Sequence, residues 1–416
     1  MRANYLIVAL VFLVFFVISL VTNILGPLVP EMIQTFAISL GLAGFLPFSF
    51  FLAYGVMSIP SGLLVERYRE KPVIAGAFAI ACAGSLAFAL VPVFRVGLAS
   101  LFLIGIGMAM LQVAINPLLR VAGGEQHFAF NSVLAQLIFG LASFISPQIY
   151  AYFVGDLTLP WFSLYWLFAA VTVVMIAVVL AAPLPRVTLK EDERAGGWET
   201  HRTLLRHRYV WLYAGGIFCY VGFEQGVANW ISQFLQTYHG FDPRTVGADT
   251  VSGFWGLLTA GCVLGLVLLK LVDSRYVLIT AAAGAFVALT GALFGPACVA
   301  LLAFPLVGFC ASVMWSIIFA LALNSATEHH GSFSGILCTG IVGGAFVSLA
   351  VGWLGDRFGL RGAMVLVFLT LGYILSIGFW AKPLVSNATV PLRELFRRKG
   401  GVPEAGGRPY TTEPGR

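Results

Sequence analysis

Long stretches of this chain carry no charge at all. Asp, Glu, Lys and Arg are missing from 3–30, 32–65, 72–94, 96–119, 126–155, 157–185, 250–269, 276–327, 329–355 and 362–381. A helix of about 20 mostly apolar residues crosses the hydrocarbon core of a bilayer, so each run has room for at least one crossing. The run 276–327 is too long for one, and Gly295-Pro296 divides it. The stretch 209–241 is broken only by Glu224 and adds another. The expected fold class is an all-α integral membrane protein with twelve transmembrane helices. The first run is not read as a signal peptide: its apolar stretch is too long, and no small-residue cleavage site precedes Glu31. Composition agrees. Charged residues make up 10% of the chain and hydrophobic ones 59%, whereas a soluble domain is about one quarter charged. That excludes a water-soluble enzyme, a disordered chain and a nucleic-acid module.

The formal net charge is +6, and its placement follows topology. With the N-terminus inside, the inner segments hold 20 of the 24 basic residues, and the outer ones keep Arg95, Arg244, Arg357 and Arg361. Lysine and arginine favour the cytoplasmic side. Both termini are therefore expected in the cytoplasm, with the chain in the plasma (inner) membrane. The charged segment PLPRVTLKEDERAGGWETHRTLLRHR follows span six and divides the chain six plus six. The expected units are an N-terminal bundle over 1–182, a cytoplasmic linker over 183–208, a C-terminal bundle over 209–382 and a mostly disordered cytoplasmic tail over 383–416. The start of the tail, VPLRELFRRKGG, reads as a short basic helix on the anionic inner leaflet.

Enzymatic and metal signatures are absent from the sequence. There is no GxxxxGK[ST], GxSxG or HExxH, and no CxxC spacing among the six cysteines. No catalytic residue, metal or cofactor is expected. His329-His330 reads as a solvated loop end.

Six plus six helices around a charged inner loop resemble the major facilitator superfamily. Gly62-Leu-Leu-Val-Glu66-Arg67-Tyr-Arg69-Glu70-Lys71, after span two, is similar to its G-x-x-x-D-R-x-G-R-K motif, with Glu for Asp and Arg69 at the second Gly. A small residue there lets two helices approach. An acid and an arginine can pair at the inner mouth, so Gly62, Glu66, Arg67 and Arg69 are gating candidates. A narrower resemblance is to the fucose–proton symporter family and its glucose/galactose relatives. It rests on Phe50-Phe-Leu-Ala-Tyr54-Gly55 through Pro60-Ser-Gly62, on Leu111-Gln112-Val-Ala-Ile-Asn116-Pro117, on His127-Phe128 with Leu134-Ala135-Gln136, and on Phe218-Cys219-Tyr220-Val221-Gly222 before Glu224 and Trp230. The resemblance implies two six-helix bundles and sugar transport by alternating access. It also places the family's two coupling acids at Gly26 and Gln112, so the usual route of proton coupling lacks its carboxylates here.

The residues themselves support a cavity. Polar side chains at mid-span depth face a partner helix or a water-filled space. Asn23, Gln112, Asn116, Gln136, Glu224, Gln225 and Asn229 form such a group. Gln112 and Asn116 are four apart and share a face, as do Gln225 and Asn229. Amides both donate and accept, which suits a neutral polyol. Trp230 and Trp315 can stack on the apolar face of a sugar ring. The competing reading for each amide alone is an interhelical hydrogen bond, worth about 0.6 kcal/mol on average. Glu224 is read as the acid well inside a span, where insertion of a charge costs about 2.5–3.5 kcal/mol. It is the coupling candidate that remains, with substrate binding and a hydrogen bond from Tyr220 as the other two readings. The expected function is secondary or facilitative transport of a small neutral solute, a monosaccharide by resemblance, as a monomer. A co-transported proton is the open partner. The alternatives are a facilitator or exporter of another metabolite, and a non-transporting sensor on the same fold.

Overall fold

The computed structural model describes residues 5–123, 128–184, 198–326 and 330–382, and every regular element among them is helical. The tail 383–416, His127 and most of the linker lie outside the described residues.

Span one comprises α1 (Tyr5–Thr22) and α2 (Leu25–Phe36), and span two comprises α3 (Leu40–Ala43) and α4 (Phe45–Tyr68). Spans three to six are α5 (Glu70–Leu90), α6 (Phe94–Gly123), α7 (Phe128–Ala151) and α8 (Leu164–Ala181). A short helix, α9 (Trp198–Leu204), occupies part of the segment read as linker. Span seven is α10 (Arg208–Ala228) with α11 (Ile231–His239). Spans eight and nine are α12 (Ala248–Leu271) and α13 (Ser274–Phe294). Span ten is α14 (Ala297–Ala311) with α15 (Met314–Leu323). Span eleven joins α16 (His330–Thr339) to the first part of α17 (Gly343–Met364), which kinks at Gly359; span twelve is the remainder with α18 (Val367–Trp380). By length and composition, ten stretches suffice to cross a membrane. Span seven, broken at Asn229-Trp230, and span twelve complete the twelve.

The boundaries have local causes. Gly295 ends α13, and Pro296, which has no N–H to donate, starts α14. Asp273 accepts a hydrogen bond from the Arg275 N–H and caps α13. Lys71 Nζ donates to the carbonyls of Leu180 and Ala182 at 2.8 and 2.9 Å. A cation at a helix C-terminus is favourable, which gives this basic residue a structural task. The charge-free run that holds span one stops at residue 30, but its helix continues to Phe36, and Glu31 is buried.

The helices before residue 184 pack chiefly on one another through α4, α5, α6 and α8, with α1 against α7. Those after 198 do so through α10, α12, α13, α14, α17 and α18. Two long seams join the sets, α7 on α12 and α4 on α17, and glycines at such contacts set the spacing. Within the second set, a methyl at Gly343 would overlap the Phe218 carbonyl oxygen. With an even number of spans, residues 5 and 382 lie on one face, here called the terminal face; the opposite one is the distal face.

Candidate functional site

The two sets are held together at the distal face. Arg244 donates from Nε to Glu31 Oε1 at 2.7 Å and from a terminal nitrogen to Oε2 at 3.3 Å. Tyr150 donates to the same carboxylate at 3.1 Å. Gln148 donates to Asp249 Oδ1 at 2.9 Å, and the Gly41 N–H donates to Asp356 Oδ2 at 3.0 Å. Spans one and seven cross where both are broken. A Cβ on Gly26 would lie 2.7 Å from the Ala228 carbonyl oxygen. Gly26, the position to which the sequence resemblance assigns an acid, therefore has no room for a side chain in this state. At the terminal face no comparable seam joins α6 to α15 among the described residues.

Beneath this closure lies a cavity of about 440 Å³, within the usual range for small-molecule sites of about 300–1,000 Å³. Both halves line it. The first contributes Asn23, Tyr54, Gln112, Gln136 and Ser143, and the second Tyr220, Glu224, Gln225, Trp255, Thr259 and Trp315. Its lining continues along α12 to Leu266 and Leu269, toward the terminal face. Several lining spans, one, seven and ten, are broken in mid-membrane, the arrangement through which discontinuous helices build transporter sites.

The polar groups are set by their neighbours. Asn23 Nδ2 donates to Ser143 Oγ at 2.8 Å and to Ser19 Oγ at 3.3 Å. Its amide protons are thereby engaged, and its carbonyl oxygen is the group it has left to offer as an acceptor. Across the cavity Tyr220 donates to Glu224 Oε1 at 2.8 Å, one helical turn apart as the spacing predicts. The Tyr220 ring lies 5.9 Å from that of Trp315, which stacks on Phe319 at 5.8 Å and 20°. The second half thus offers the Glu224 carboxylate, which both Tyr220 and Gln225 hydrogen-bond, and an indole with one ring face covered by Phe319. Trp255 Nε1 is buried without a hydrogen-bond partner.

Most of the group expected from the sequence comes together: Asn23, Gln112, Gln136, Glu224, Gln225 and Trp315 all line the cavity. Asn229 and Trp230 lie outside its lining. Asn229 sits at the break in span seven, with Nδ2 3.4 Å from Ser348 Oγ and 3.5 Å from Gln225 Oε1. Trp230 is fully buried, and its indole N–H donates to the Ser348 carbonyl at 3.3 Å. The backbone of Asn116 belongs to α6, but its side chain is outside the description. Ser143, Trp255 and Thr259 were not singled out by sequence, and Tyr54 entered only through the resemblance; hydroxyls and indoles are frequent at mid-span and give no periodic signal. Glu31 was missed because a single acid between two apolar runs reads as a loop.

At the terminal end of span two, Gly62 is partly buried, while Glu66, Arg67 and Arg69 are exposed. Arg67 lies over the Tyr68 ring, 5.3 Å from its centroid. Arg69 ends α4 at φ 71°, ψ 173°, a region essentially restricted to glycine.

Comparison with known proteins agrees with this architecture. The sequence model of the Major Facilitator Superfamily matches residues 11–347. A glucose/galactose transporter of Brucella abortus (strain 2308) is 29% identical over 383 residues, covering 88% of this chain and 92% of the relative. The L-fucose-proton symporter of Escherichia coli (strain K12) is 23% identical over 386 residues, covering 84% and 87%. A crystal structure of the E. coli fucose:proton symporter superposes with a TM-score of 0.67 at 21% identity, over 92% of this chain and all of the other. A nucleoside transporter gives 0.71 at 16% identity, over 90% and 98%. At such identities these two structures speak for the fold alone.

Proposed function

Because the chain belongs to the Major Facilitator Superfamily, we propose that it moves a monosaccharide across the plasma (inner) membrane by alternating access through the cavity between its halves. Both termini are cytoplasmic in this proposal, so the structure is an inward-open state. The observation that carries it is the chemistry of the cavity. Uncharged donors and acceptors on one half face a carboxylate, a tyrosine and an exposed indole face on the other. A hexose matches both, with hydroxyls that donate and accept around an apolar ring face. The sugar transporters among the relatives support this substrate class.

In the cycle we envisage, Asn23, Gln112 and Gln136 hold the sugar to the first half, and Glu224, Gln225 and Trp315 hold it to the second. Asn116 completes the proposed binding group, whereas Asn229 and Trp230, which lie outside the cavity lining, support it by bonding the break in span seven to Ser348 of span eleven. Gly62, Glu66, Arg67 and Arg69 close the cytoplasmic mouth in the opposite state. Glu224 accepts a substrate hydroxyl, and it is also the acid through which a co-transported proton would act, since Gly26 and Gln112 carry none. A single chain supplies both walls of the cavity, so the working unit is a monomer.

Binding tests the reading before transport does. Purified protein is heated with fucose, glucose, galactose or N-acetylglucosamine in turn. At least one should raise the melting temperature at millimolar concentration, and Gln112→Ala should remove that shift without changing the sugar-free melting point. No shift with any of the four would discard the sugar reading.

A further inference from the structure

The motif at the terminal end of span two has a second copy in the same chain. Gly62-Leu-Leu-Val-Glu66-Arg67-Tyr-Arg69 is answered by Gly352-Trp-Leu-Gly-Asp356-Arg357-Phe-Gly359, with the small residue, the acid, the arginine and the last position at the same intervals. The copies also fold alike. Arg69 adopts φ 71°, ψ 173°, and Gly359 adopts φ 73°, ψ 155°. They lie on opposite faces: the first follows span two at the terminal face, and the second follows span eleven at the distal face. Spans two and eleven pack on each other between the halves, so the two copies bracket one seam from its two ends.

The second copy reaches across that seam. A Cβ on Gly352 would lie 2.5 Å from the Leu40 carbonyl oxygen, so glycine permits the close approach of span eleven to the start of span two. One turn on, Asp356 Oδ2 accepts the Gly41 N–H at 3.0 Å. That N–H is in the first turn of α3, where it has no intrahelical acceptor. The basic end of the copy stays within its own half. The backbone N–H of Arg361 donates to the Tyr238 hydroxyl at 2.9 Å, and its guanidinium lies 4.5 Å from the Tyr238 ring centroid.

We propose that Asp356 is a gating residue of the transport cycle, which holds the distal face shut through Gly41 and so favours the state open to the terminal face. A carboxylate on a backbone N–H is a charge-assisted hydrogen bond. Separation of the distal ends replaces it with water on both sides. A contact present in one state only shifts the equilibrium between states by its own free energy. The second copy thereby opposes the first, which is placed to act at the other face.

Hydrogen exchange of the purified full-length protein, read by mass spectrometry, tests this without a known substrate. Two distal segments are compared: 37–44, which contains Gly41, and 240–247, which contains Arg244 and is bonded to span one through Glu31. Asp356→Asn removes the charge. Gly41→Ala acts from the other side, because its Cβ would lie 2.5 Å from Asp356 Oδ2 and displace the carboxylate. Each variant should speed exchange in both segments about fivefold, the loss expected when a charged acceptor becomes a neutral one. Arg357→Ala, whose guanidinium lies over Trp353 at 4.2 Å, should change neither. Faster exchange confined to 37–44, no change at all, or an equal effect of Arg357→Ala would overturn the proposal. If Asp356→Asn loosens both faces together through loss of fold, Gly41→Ala decides between the same outcomes.

Discussion

Removing Arg244 should open the distal face. Its partner Glu31 has a side chain only 9% exposed, while that of Arg244 is 47% exposed. Fully exposed ion pairs are worth about 0–1 kcal/mol. Breaking a buried pair costs about 3–5 kcal/mol, because the remaining charge is left uncompensated. The half-exposed arginine places Arg244→Gln between these limits, at about 1–2 kcal/mol, and the Tyr150 hydrogen bond at 3.1 Å keeps it from the upper end. The pair bridges the halves and would be broken by distal opening, so the whole cost appears as a population shift of roughly 5- to 30-fold toward distal-open. Glu31→Gln should shift it less, since no buried charge is stranded, and the double variant should resemble Glu31→Gln alone. Spin labels at Val91 and Phe294, which are exposed on opposite halves of the distal face, report the separation in a cysteine-replaced background. A longer distance should gain weight in Arg244→Gln. An unchanged distribution, or a larger effect from Glu31→Gln, would reduce the pair to surface decoration.

Four further outcomes follow from the same geometry. Arg69→Gly should stabilise the protein by about 1 kcal/mol, because it relieves a non-glycine residue in a glycine-only region; thermal melting in detergent would register this as a rise of a few degrees. Gly26→Ala should disfavour distal closure, since its Cβ would sit 2.7 Å from the Ala228 carbonyl oxygen, and transport rate should fall more than binding affinity. Trp255→Phe should leave the melting point unchanged or higher, because an unpartnered buried N–H disappears, and should weaken sugar binding if that N–H serves the substrate. Glu224→Gln separates binding from coupling: loss of pH-driven uptake with intact counterflow assigns the proton to Glu224, whereas loss of both in a folded protein assigns it to the sugar.

Charge told most of the architecture because it is expensive in lipid. The gaps between charged residues marked the crossings, and Gly295-Pro296 marked the division between spans nine and ten. The same logic failed at Glu31. A carboxylate that finds Arg244 and Tyr150 in the folded protein can stay within a helix, and sequence offers no sign of a partner more than two hundred residues away. Breaks inside spans were also illegible. Asn229-Trp230 and Ser312-Val313 carry neither glycine nor proline, so only packing against span eleven and span eight reveals them. The cavity was legible as a set of polar side chains at one depth. Depth does not give azimuth, however, which is why Gln225 lines the cavity while Trp230 turns into span eleven. The second copy of the motif was present in the sequence but lay on the wrong face for the family pattern, and its meaning emerged only with the Asp356–Gly41 contact.

Uptake by purified protein in proteoliposomes shows whether the cavity carries a monosaccharide. Radiolabelled fucose, glucose, galactose and N-acetylglucosamine are presented to vesicles preloaded with the same unlabelled sugar, so that exchange is read without any driving gradient. Saturable counterflow of at least one of them is expected, abolished by Gln112→Ala and absent from protein-free vesicles. No counterflow of any of the four, from protein whose melting shows it to be folded, would contradict it.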